Sequence, residues 1–400
     1  MCIWLCIYIV YIDTNAGQMT LLLSPASGEV GMEGTKIHEL NKLGQSAWLD
    51  FIQRSLIRSG DLQDYVELGL SGITSNPAIF EKAISKSTDY DEQMEQLAEE
   101  GKTPQEIYEA LTVEDARLAT DVLRPVFDQS KGMDGFFSLE VEPHLAHDKP
   151  GSVTAAERLF KSVDRPNVMI KIPATEEGYS AIQGSIAEGI NINITLMFSL
   201  NQYERVAEAY LSGLEKRFAN GFSINHISSV ASFFVSRVDT KVDKLLDEIH
   251  TPEAESLKGK IGIANAKMAY QRFKEIFHSP RWSYLQDRGA RIQRVLYGST
   301  GTKNPEYSDV MYLENLIGAN TINTIPRETL EAFMDHGKVT LTLEENLDEA
   351  RSQLGQLAEL GIDLEEIGQE LLDDGIQKFI EPYDSLIHGI KEKSAELIAH

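Results

Sequence analysis

The feature that most constrains the fold of this chain is the alternation of short apolar strands with longer amphipathic helices from about residue 40 onward. Eight segments combine the length and the β-branched content of buried strands. They are residues 46–51, 68–74, 136–141, 168–173, 191–198, 229–236, 293–299 and 321–325. Helical patterns such as 155–163, 202–218 and 264–277 lie between them. Because strand–helix alternation favours parallel pairing, eight units predict an α/β fold closed as a (β/α)8 TIM barrel.

Two stretches exceed a minimal barrel. Residues 82–129, after the second strand, predict extra short helices over 90–100, 103–110 and 113–127. Residues 344–398 predict a C-terminal helical tail that either decorates the surface or folds over the barrel mouth. A doubly wound open sheet is the alternative architecture, but no GxGxxG motif follows any strand, so nucleotide binding of that kind has no support.

The N-terminal segment differs from the rest of the chain. Residues 1–12 are almost wholly apolar, and no Lys or Arg precedes Lys36. The run is too short to span a bilayer and lacks the positive region of a signal peptide. We expect residues 1–35 to be disordered or to lie upstream of a true start near Met32, with a hydrophobic anchor as the alternative. Residues 36–400 are interpreted as one barrel domain, and intact-mass analysis of native protein would test the start.

Composition narrows the range of partners. A net charge of −25 over 400 residues argues against nucleic acid or an anionic membrane, so a phosphorylated substrate would need a local basic pocket. Cys2 and Cys6 are the only cysteines, which leaves the barrel without a disulfide framework or a thiolate metal site. His144 and His147 have no evident third ligand, so no metal is expected. Without a convincing export signal, the expected location is the cytoplasm.

A single lysine, Lys171, interrupts the apolar run of residues 167–175 (NVMIKIPAT). A strand of this kind is buried on both faces in a parallel sheet, where a charged amine is costly. A neutral lysine amine attacks carbonyl carbons to form Schiff bases. The alternative is a lysine at a strand end that reaches solvent, which the strand by itself favours and the rest of the chain argues against.

Other polar residues cluster near the carboxyl ends of the predicted strands, where the active site of such a barrel lies. They are Asp50, Thr74, Asn76, Glu140, Asn193, Thr195, Ser232 and Ser299. Together with Lys171 they would supply an amine nucleophile, two carboxylates for proton transfer, and neutral groups to hold a polyol. The set predicts imine chemistry on a sugar.

Several segments resemble transaldolase motifs in content and order. They are LSGITSNPAIF, FFSLEVEP, VMIKIPAT, INITLMFSLNQ and SVASFFVSRVD. The stretches KLGQSAWLDFIQRSLI, GSTGTKNPEYSDVMY and NTINTIP are similar to the longer bacterial and plant-type branch, and the resemblance covers roughly residues 36–395. It implies a class I aldolase-type barrel of the pentose phosphate pathway. Such an enzyme moves a dihydroxyacetone unit from sedoheptulose 7-phosphate or fructose 6-phosphate to glyceraldehyde 3-phosphate or erythrose 4-phosphate, without cofactor or metal.

The resemblance also implies catalytic roles. Lys171 in KIPAT matches the Schiff-base lysine, and Asp50 in WLDF matches the aspartate that takes the proton from the C4 hydroxyl. Glu140 in SLEVE matches the glutamate that works through a water, with Thr195 in NITL, to form and hydrolyse the imine.

The expected substrate-binding residues follow in the same way. Asn76 and Asn193 match amides that hold the donor hydroxyls, and Ser232 matches a substrate-binding serine. Thr74 and Ser299 join them by position at strand ends. Arg237 in VSR matches the phosphate-binding arginine, although a surface residue at a helix start is the alternative.

Lys303, in GSTGTKN after the seventh strand, lies where barrels often bind phosphate, and here the chain departs from the smaller transaldolases, which have an arginine nearby. Competing functions are a fructose 6-phosphate aldolase-type lyase, a phosphosugar isomerase and a non-catalytic sugar-phosphate-binding barrel. Fold alone excludes none of them. Both monomers and homodimers occur in the family, and the sequence leaves both open.

Overall fold

Eight parallel strands close into a barrel within residues 34–398, which are the residues that the computed structural model describes. The strands are β1 (Gln45–Leu49), β2 (Gly72–Thr74), β3 (Phe136–Glu140), β4 (Val168–Pro173), β5 (Ile192–Met197), β6 (Ser229–Phe234), β7 (Arg294–Gly298) and β8 (Thr321–Ile325). Each strand pairs with its neighbours in chain order, and β8 pairs with β1. The predicted (β/α)8 barrel is therefore confirmed.

Seventeen α-helices lie in the same described residues. They are α1 (Lys36–Lys42), α2 (Arg54–Arg58), α3 (Asp61–Glu67), α4 (Pro77–Ser85), α5 (Asp91–Glu99), α6 (Pro104–Gln129), α7 (Lys149–Val163), α8 (Glu176–Glu188), α9 (Leu200–Ala219), α10 (Ser236–Ile249), α11 (Pro252–Leu257), α12 (Ile261–Ile276), α13 (Pro280–Gln286), α14 (Met311–Asn315), α15 (Arg327–His336), α16 (Leu347–Glu359) and α17 (Leu364–Leu397). A short 3-10 helix spans Pro143–Leu145. Among these residues no helix is both long and apolar enough to cross a bilayer.

Two predicted boundaries differ from the structure. The second strand starts at Gly72 instead of residue 68, because Leu68 caps α3 and Gly69 turns the chain with a φ of +107°. The last two of the three predicted helices after that strand are one continuous helix, α6. Thr112 is accommodated in the middle of α6 because its hydroxyl donates to the carbonyl oxygen of Tyr108 at 3.0 Å.

An apolar layer fills the middle of the barrel. One residue from each of six strands points into the barrel there, because successive side chains of a strand point to opposite faces. They are Trp48, Phe136, Met169, Val230, Leu296 and Ile322. Gly72 leaves room for the largest of them, since a Cβ at this position would lie 2.5 Å from the Trp48 ring. This layer separates the two polar ends of the barrel interior.

A buried ion pair occupies the amino-terminal end. Arg294 lies 3.5 Å from the Asp134 carboxylate, and its guanidinium donates to the Ser46 hydroxyl at 2.7 Å. The Trp48 indole donates to Asp134 at 2.7 Å, and Ser46 donates to the same carboxylate. A second guanidinium nitrogen of Arg294 donates to the carbonyl of Met133 at 2.6 Å. We call Ser46, Trp48, Asp134 and Arg294 the floor network.

The C-terminal helix α17 packs over the opposite end, which we call the mouth. Gly368 packs against Ser199, just after β5, and Gly375 lies against Leu196 and Arg237. A Cβ at Gly375 would be 2.9 Å from Cδ2 of Leu196, so a larger residue there would require the Leu196 side chain to move. Of the two alternatives for the tail, the structure has the one in which it folds over the mouth.

Residues from Gly34 onward pack as one compact unit. The expectations of a disordered or upstream segment, of a start near Met32 and of an apolar anchor concern residues 1–33, outside the described residues.

Candidate active site

Lys171 lies in the middle of β4 and is 4% exposed. The strand register places it opposite Glu140 on β3 and Asn193 on β5. Its amine donates to the carbonyl oxygen of Ser75 at 3.2 Å and lies 3.7 Å from Oε2 of Glu140. The lysine therefore does not reach solvent as a strand-end residue would, and its amine is held by one carbonyl and one carboxylate.

Glu140 is a buried carboxyl with an unusual proton affinity. Burial raises its pKa to about 7, although the charge of Lys171 acts in the opposite direction, and the Asp50 carboxylate raises it further. Its Oε2 atom has no hydrogen-bond partner among the described residues, and neither has Oγ1 of Thr195, which is fully buried. A carboxyl that titrates near neutrality can both give and take a proton.

Asp50 follows the last residue of β1 and is half-buried. The Thr74 hydroxyl donates to its Oδ1 at 2.7 Å. Burial raises the pKa of Asp50, opposed first by the charge of Lys171 and then by the Thr74 hydrogen bond and the more distant Arg237 and Lys303. The mouth thus contains two carboxyls with different hydrogen-bond partners, so the two groups can take different roles in proton transfer.

Amides and hydroxyls complete the wall of the site. The Asn193 amide NH₂ donates to the Ser138 hydroxyl at 3.0 Å, and the Ser232 hydroxyl donates to Oδ1 of Asn193 at 2.6 Å. Asn76 caps α4 by accepting from the backbone N–H of Ile79 at 3.0 Å, which leaves its NH₂ group as a donor. Three strands and one helix start therefore present neutral polar groups around the lysine.

Two cations lie at the rim of the mouth. Arg237, in the first turn of α10, is half-buried over the Phe234 ring, and burial lowers its pKa. Its Nη1 atom has no hydrogen-bond partner among the described residues. Lys303 is exposed in the loop after β7. Ser299 starts that loop with a φ of +53°, and its hydroxyl is 2.9 Å from that of Ser236. The Ser299 hydroxyl is thus engaged with the protein.

Of the eleven predicted site residues, six lie on strands and five follow strand ends. Lys171, Asn193, Thr195 and Ser232 lie within β4, β5 and β6, and Thr74 and Glu140 end β2 and β3. The other five, which follow the carboxyl ends of β1, β2, β6 and β7, are Asp50, Asn76, Arg237, Ser299 and Lys303. The two histidines lie outside the site, where His144 pairs with Asp384 at 2.7 Å and His147 with Glu177 at 3.2 Å. In residues 34–398 no three His, Cys, Asp or Glu side chains are grouped as metal ligands would be.

Three groups at the mouth were not predicted. Ser138 and Thr324 face the site, the first bonded to Asn193 and the second in contact with Thr74 through their hydroxyls. The sequence could have indicated Ser138, because side chains two residues apart on a strand lie on the same face and Ser138 precedes Glu140 by two residues. The third group, the Ser75 carbonyl, is backbone and has no side-chain signal in the sequence.

A closed (β/α)8 barrel with a buried lysine beside carboxylates at its mouth has the groups that a lysine-dependent aldolase requires. Comparison with known proteins narrows this class. The profile of the Transaldolase/Fructose-6-phosphate aldolase family matches residues 47–390. The chain belongs to this family.

Named relatives are similar over nearly the whole chain. A transaldolase of Trichodesmium erythraeum is 45% identical over 370 residues, covering 90% of this chain and 97% of that protein. A transaldolase 2 of Nostoc punctiforme is 46% identical over 90% of this chain and 98% of its own length. A transaldolase of Thermobifida fusca is 44% identical, with 90% and 99% covered.

Proposed function

We propose that this protein is a transaldolase, a transferase of the pentose phosphate pathway. It would move a dihydroxyacetone unit between sedoheptulose 7-phosphate or fructose 6-phosphate and glyceraldehyde 3-phosphate or erythrose 4-phosphate. The observation that carries the proposal is the Lys171 amine, 4% exposed and 3.7 Å from Glu140 inside the barrel of a transaldolase-family chain.

In the first half-reaction the neutral Lys171 amine attacks C2 of the ketose phosphate. Glu140, acting through a water with Thr195, donates the proton with which the C2 oxygen leaves as water. The Glu140 carboxyl, with a pKa of about 7, suits this role because it is partly protonated at neutral pH. Asp50 then takes the proton from the C4 hydroxyl, the C3–C4 bond breaks, and its electron pair moves to the protonated imine. The aldose phosphate leaves and an enamine remains on Lys171.

In the second half-reaction the enamine carbon attacks the aldehyde of the acceptor, and Asp50 returns its proton to the new hydroxyl. Glu140 and Thr195 position the water that hydrolyses the imine and restores the Lys171 amine. The acceptor must compete with protonation of the enamine, so a site that limits stray water favours transfer. Helix α17, packed over the mouth, supplies such a cover.

Substrate binding divides between neutral and charged groups. Asn76 and Asn193 hold the hydroxyls of the dihydroxyacetone unit, with the hydroxyls of Ser232 and Thr74 beside them. Arg237 contributes an unpartnered, half-buried guanidinium to the phosphate.

At the rim Lys303 adds a second charge for the phosphate, and the Ser299 backbone orients its loop. We expect the enzyme to work in the cytoplasm on small sugar phosphates, without cofactor or metal and without nucleic acid or membrane partners, as a monomer or homodimer.

The family description also covers fructose 6-phosphate aldolase, which would release free dihydroxyacetone instead of transferring it. The two reactions share the imine and differ in the fate of the enamine. Product analysis with and without erythrose 4-phosphate separates them, since a transferase forms sedoheptulose 7-phosphate with little free dihydroxyacetone. An isomerase or a binding barrel needs no buried amine, and activity retained in Lys171→Arg would favour an isomerase.

The decisive experiment is borohydride trapping. The protein is incubated with fructose 6-phosphate and reduced, and the adduct is mapped by peptide mass spectrometry. We expect an adduct of dihydroxyacetone size on Lys171 that is absent in Lys171→Ala. No adduct in a folded sample would refute the imine mechanism.

A further inference from the structure

One face of α10 is fastened to the segment that follows β7. Ser236, Asp239 and Asp243 are spaced three and four residues apart, so they lie on one side of the helix. The Ser236 hydroxyl contacts that of Ser299 at 2.9 Å, and the Ser236 N–H donates to the Ser299 carbonyl at 3.0 Å. Each of the two aspartates accepts a hydrogen bond from a tyrosine in the segment after β7. Helix α10 and this segment are therefore joined at three successive points.

The tyrosine bonds are made by carboxylates that are themselves fixed. The Tyr312 hydroxyl donates to Asp239 at 2.9 Å, and the Tyr307 hydroxyl donates to Asp243 at 2.9 Å. The other oxygen of each carboxylate accepts a backbone N–H from the segment around the start of α12. Those donors are Gly262, at 2.6 Å, and Gly259, at 3.0 Å. Asp243 is thus a junction between α10, the α11–α12 connection and the loop after β7.

Tyr307 is also held by packing. Its ring lies against Gly259, where a Cβ would be 2.7 Å from Cζ of the ring. Gly259 has a φ of +66°, a conformation that L side chains rarely adopt. The ring therefore has a backbone surface on one side and a charged acceptor at its hydroxyl, so it can anchor an otherwise exposed loop.

The two elements joined in this way carry the two rim cations. Arg237 precedes Asp243 on α10, and Lys303 precedes Tyr307 by four residues in the loop. Among the described residues neither cation forms an ion pair, although the protein carries a net charge of −25. The Lys303 side chain is exposed, and holding a flexible lysine near a phosphate costs entropy unless its loop is fixed.

We propose that Tyr307, through its hydrogen bond to Asp243, is a positioning residue that holds the Lys303 loop against α10, so that Lys303 and Arg237 bind one phosphate group of the substrate. The inference rests on the proposed sugar-phosphate activity and deepens it. Tyr307 itself need not touch the substrate. Its effect must pass through Lys303, which makes the proposal testable by non-additivity.

The test begins with Tyr307→Phe, which removes one hydroxyl and keeps the ring packed on Gly259. We expect KM for fructose 6-phosphate to rise about three- to tenfold, which is less than the loss of a direct hydrogen bond to a charged group would cause, because Lys303 is displaced and not removed. The inhibition constant of inorganic phosphate should rise by a similar factor, with kcat within about twofold of the parent. The matched control is Tyr284→Phe on α13, where the ring is 49% exposed, and we expect both constants unchanged there.

A double-mutant cycle then separates positioning from a merely structural role. In a Lys303→Ala background, Tyr307→Phe should no longer change KM or phosphate inhibition, while any loss of melting temperature should persist. Equal effects in both backgrounds would overturn the proposal, as would an unchanged KM in Lys303→Ala alone. Asp243→Asn, which keeps an acceptor for the Gly259 N–H, is the second variant and should also raise KM only when Lys303 is present. Borohydride trapping on Lys171 should persist in every variant, so its failure would identify a fault in the proposed function instead.

Discussion

The floor network and the mouth hold buried charges inside the same barrel in opposite ways. At the floor, Asp134 and Arg294 lie 3.5 Å apart, and the surrounding donors and acceptors satisfy both groups. At the mouth, Oε2 of Glu140, Oγ1 of Thr195 and Nη1 of Arg237 have no hydrogen-bond partner among the described residues, and Oε2 of Glu140 lies 3.7 Å from the Lys171 amine. Burying a polar atom without a partner costs free energy, so the mouth is retained at the expense of stability.

This difference indicates that the floor network contributes mainly to stability and the mouth mainly to function. The floor network links strands β1 and β7 with Asp134, two residues before β3, so its charges act as cross-links of the barrel. At the mouth, burial raises the pKa of both Glu140 and Asp50, and such shifted pKa values are common at functional sites. We therefore expect substitutions at the mouth to remove activity with little loss of stability, and substitutions at the floor to do the reverse.

The largest expected effect is at Lys171. Lys171→Met keeps an unbranched apolar chain of similar length but removes the nucleophile, so kcat/KM for transfer should fall about 10⁴-fold or more. The free energy of unfolding should change by less than about 1 kcal/mol, because Glu140, whose pKa is raised by burial, can stay protonated beside an apolar side chain. A coupled transfer assay and calorimetry measure the two effects. Retained activity, or a large loss of stability, would break the comparison.

Glu140→Gln should lower kcat by about 10²–10³-fold and at the same time stabilise the protein at alkaline pH. The pKa of Glu140 is raised from an ordinary 4.5 to about 7, so the folded state holds a proton that the unfolded state has lost between these values. Parent stability therefore falls as pH rises from about 5 to 7, by on the order of 2 kcal/mol, and glutamine avoids that loss.

Melting temperatures at several pH values check this sign. The difference in melting temperature between Glu140→Gln and the parent should be larger at pH 8 than at pH 5. A difference that is constant with pH would show that Glu140 is ionised in the folded protein throughout, contrary to the effect of its burial.

Asp134→Asn tests the floor. It leaves Arg294 buried without its countercharge, and the free energy of unfolding should fall by about 3 kcal/mol, measured by denaturant titration. The activity of the folded fraction should stay within about twofold of the parent, because the apolar layer separates Asp134 from the mouth. Asp128→Asn on the surface is the control, with an expected change of about 0.5 kcal/mol or less. Loss of activity at full stability would reverse the assignment of the two ends.

Much of the fold could be predicted because the strands carry a local signal. All eight apolar β-branched segments are strands, and topology then brings polar residues at their carboxyl ends together without any knowledge of distances. The errors lie where tertiary context decides, as at Gly69, whose left-handed turn shortens β2. The sequence could not decide whether the C-terminal tail decorates the surface or folds over the mouth. A helical pattern defines an apolar face but does not indicate which surface that face covers.

The candidate site was predicted in the same uneven way. Side chains at strand ends were found by position and by resemblance to transaldolase motifs. The Ser75 carbonyl that accepts from Lys171 was not found, since every residue has a carbonyl. The pairing of Asp134 with Arg294 was also missed, because 160 residues separate them and nothing in either segment indicates the other. Long-range polar pairs are decided by the packing of the barrel.

The smallest of these effects is expected at Arg237, at the rim of the mouth. Arg237→Glu replaces a phosphate-binding charge by a repelling one, so KM for fructose 6-phosphate should rise about 10- to 100-fold, with a smaller change in kcat. Lys241→Glu is the control, since it makes the same charge reversal four residues later on α10, where Lys241 pairs with Glu370 at the surface. Steady-state kinetics at two salt concentrations would distinguish a local contact from a general change in protein charge, because only the latter is screened strongly. An unchanged KM in Arg237→Glu would remove Arg237 from the site, and its unpartnered guanidinium would then need another explanation. If KM rises while the melting temperature holds, the unpartnered Nη1 atom of Arg237 is accounted for by the substrate phosphate that it binds.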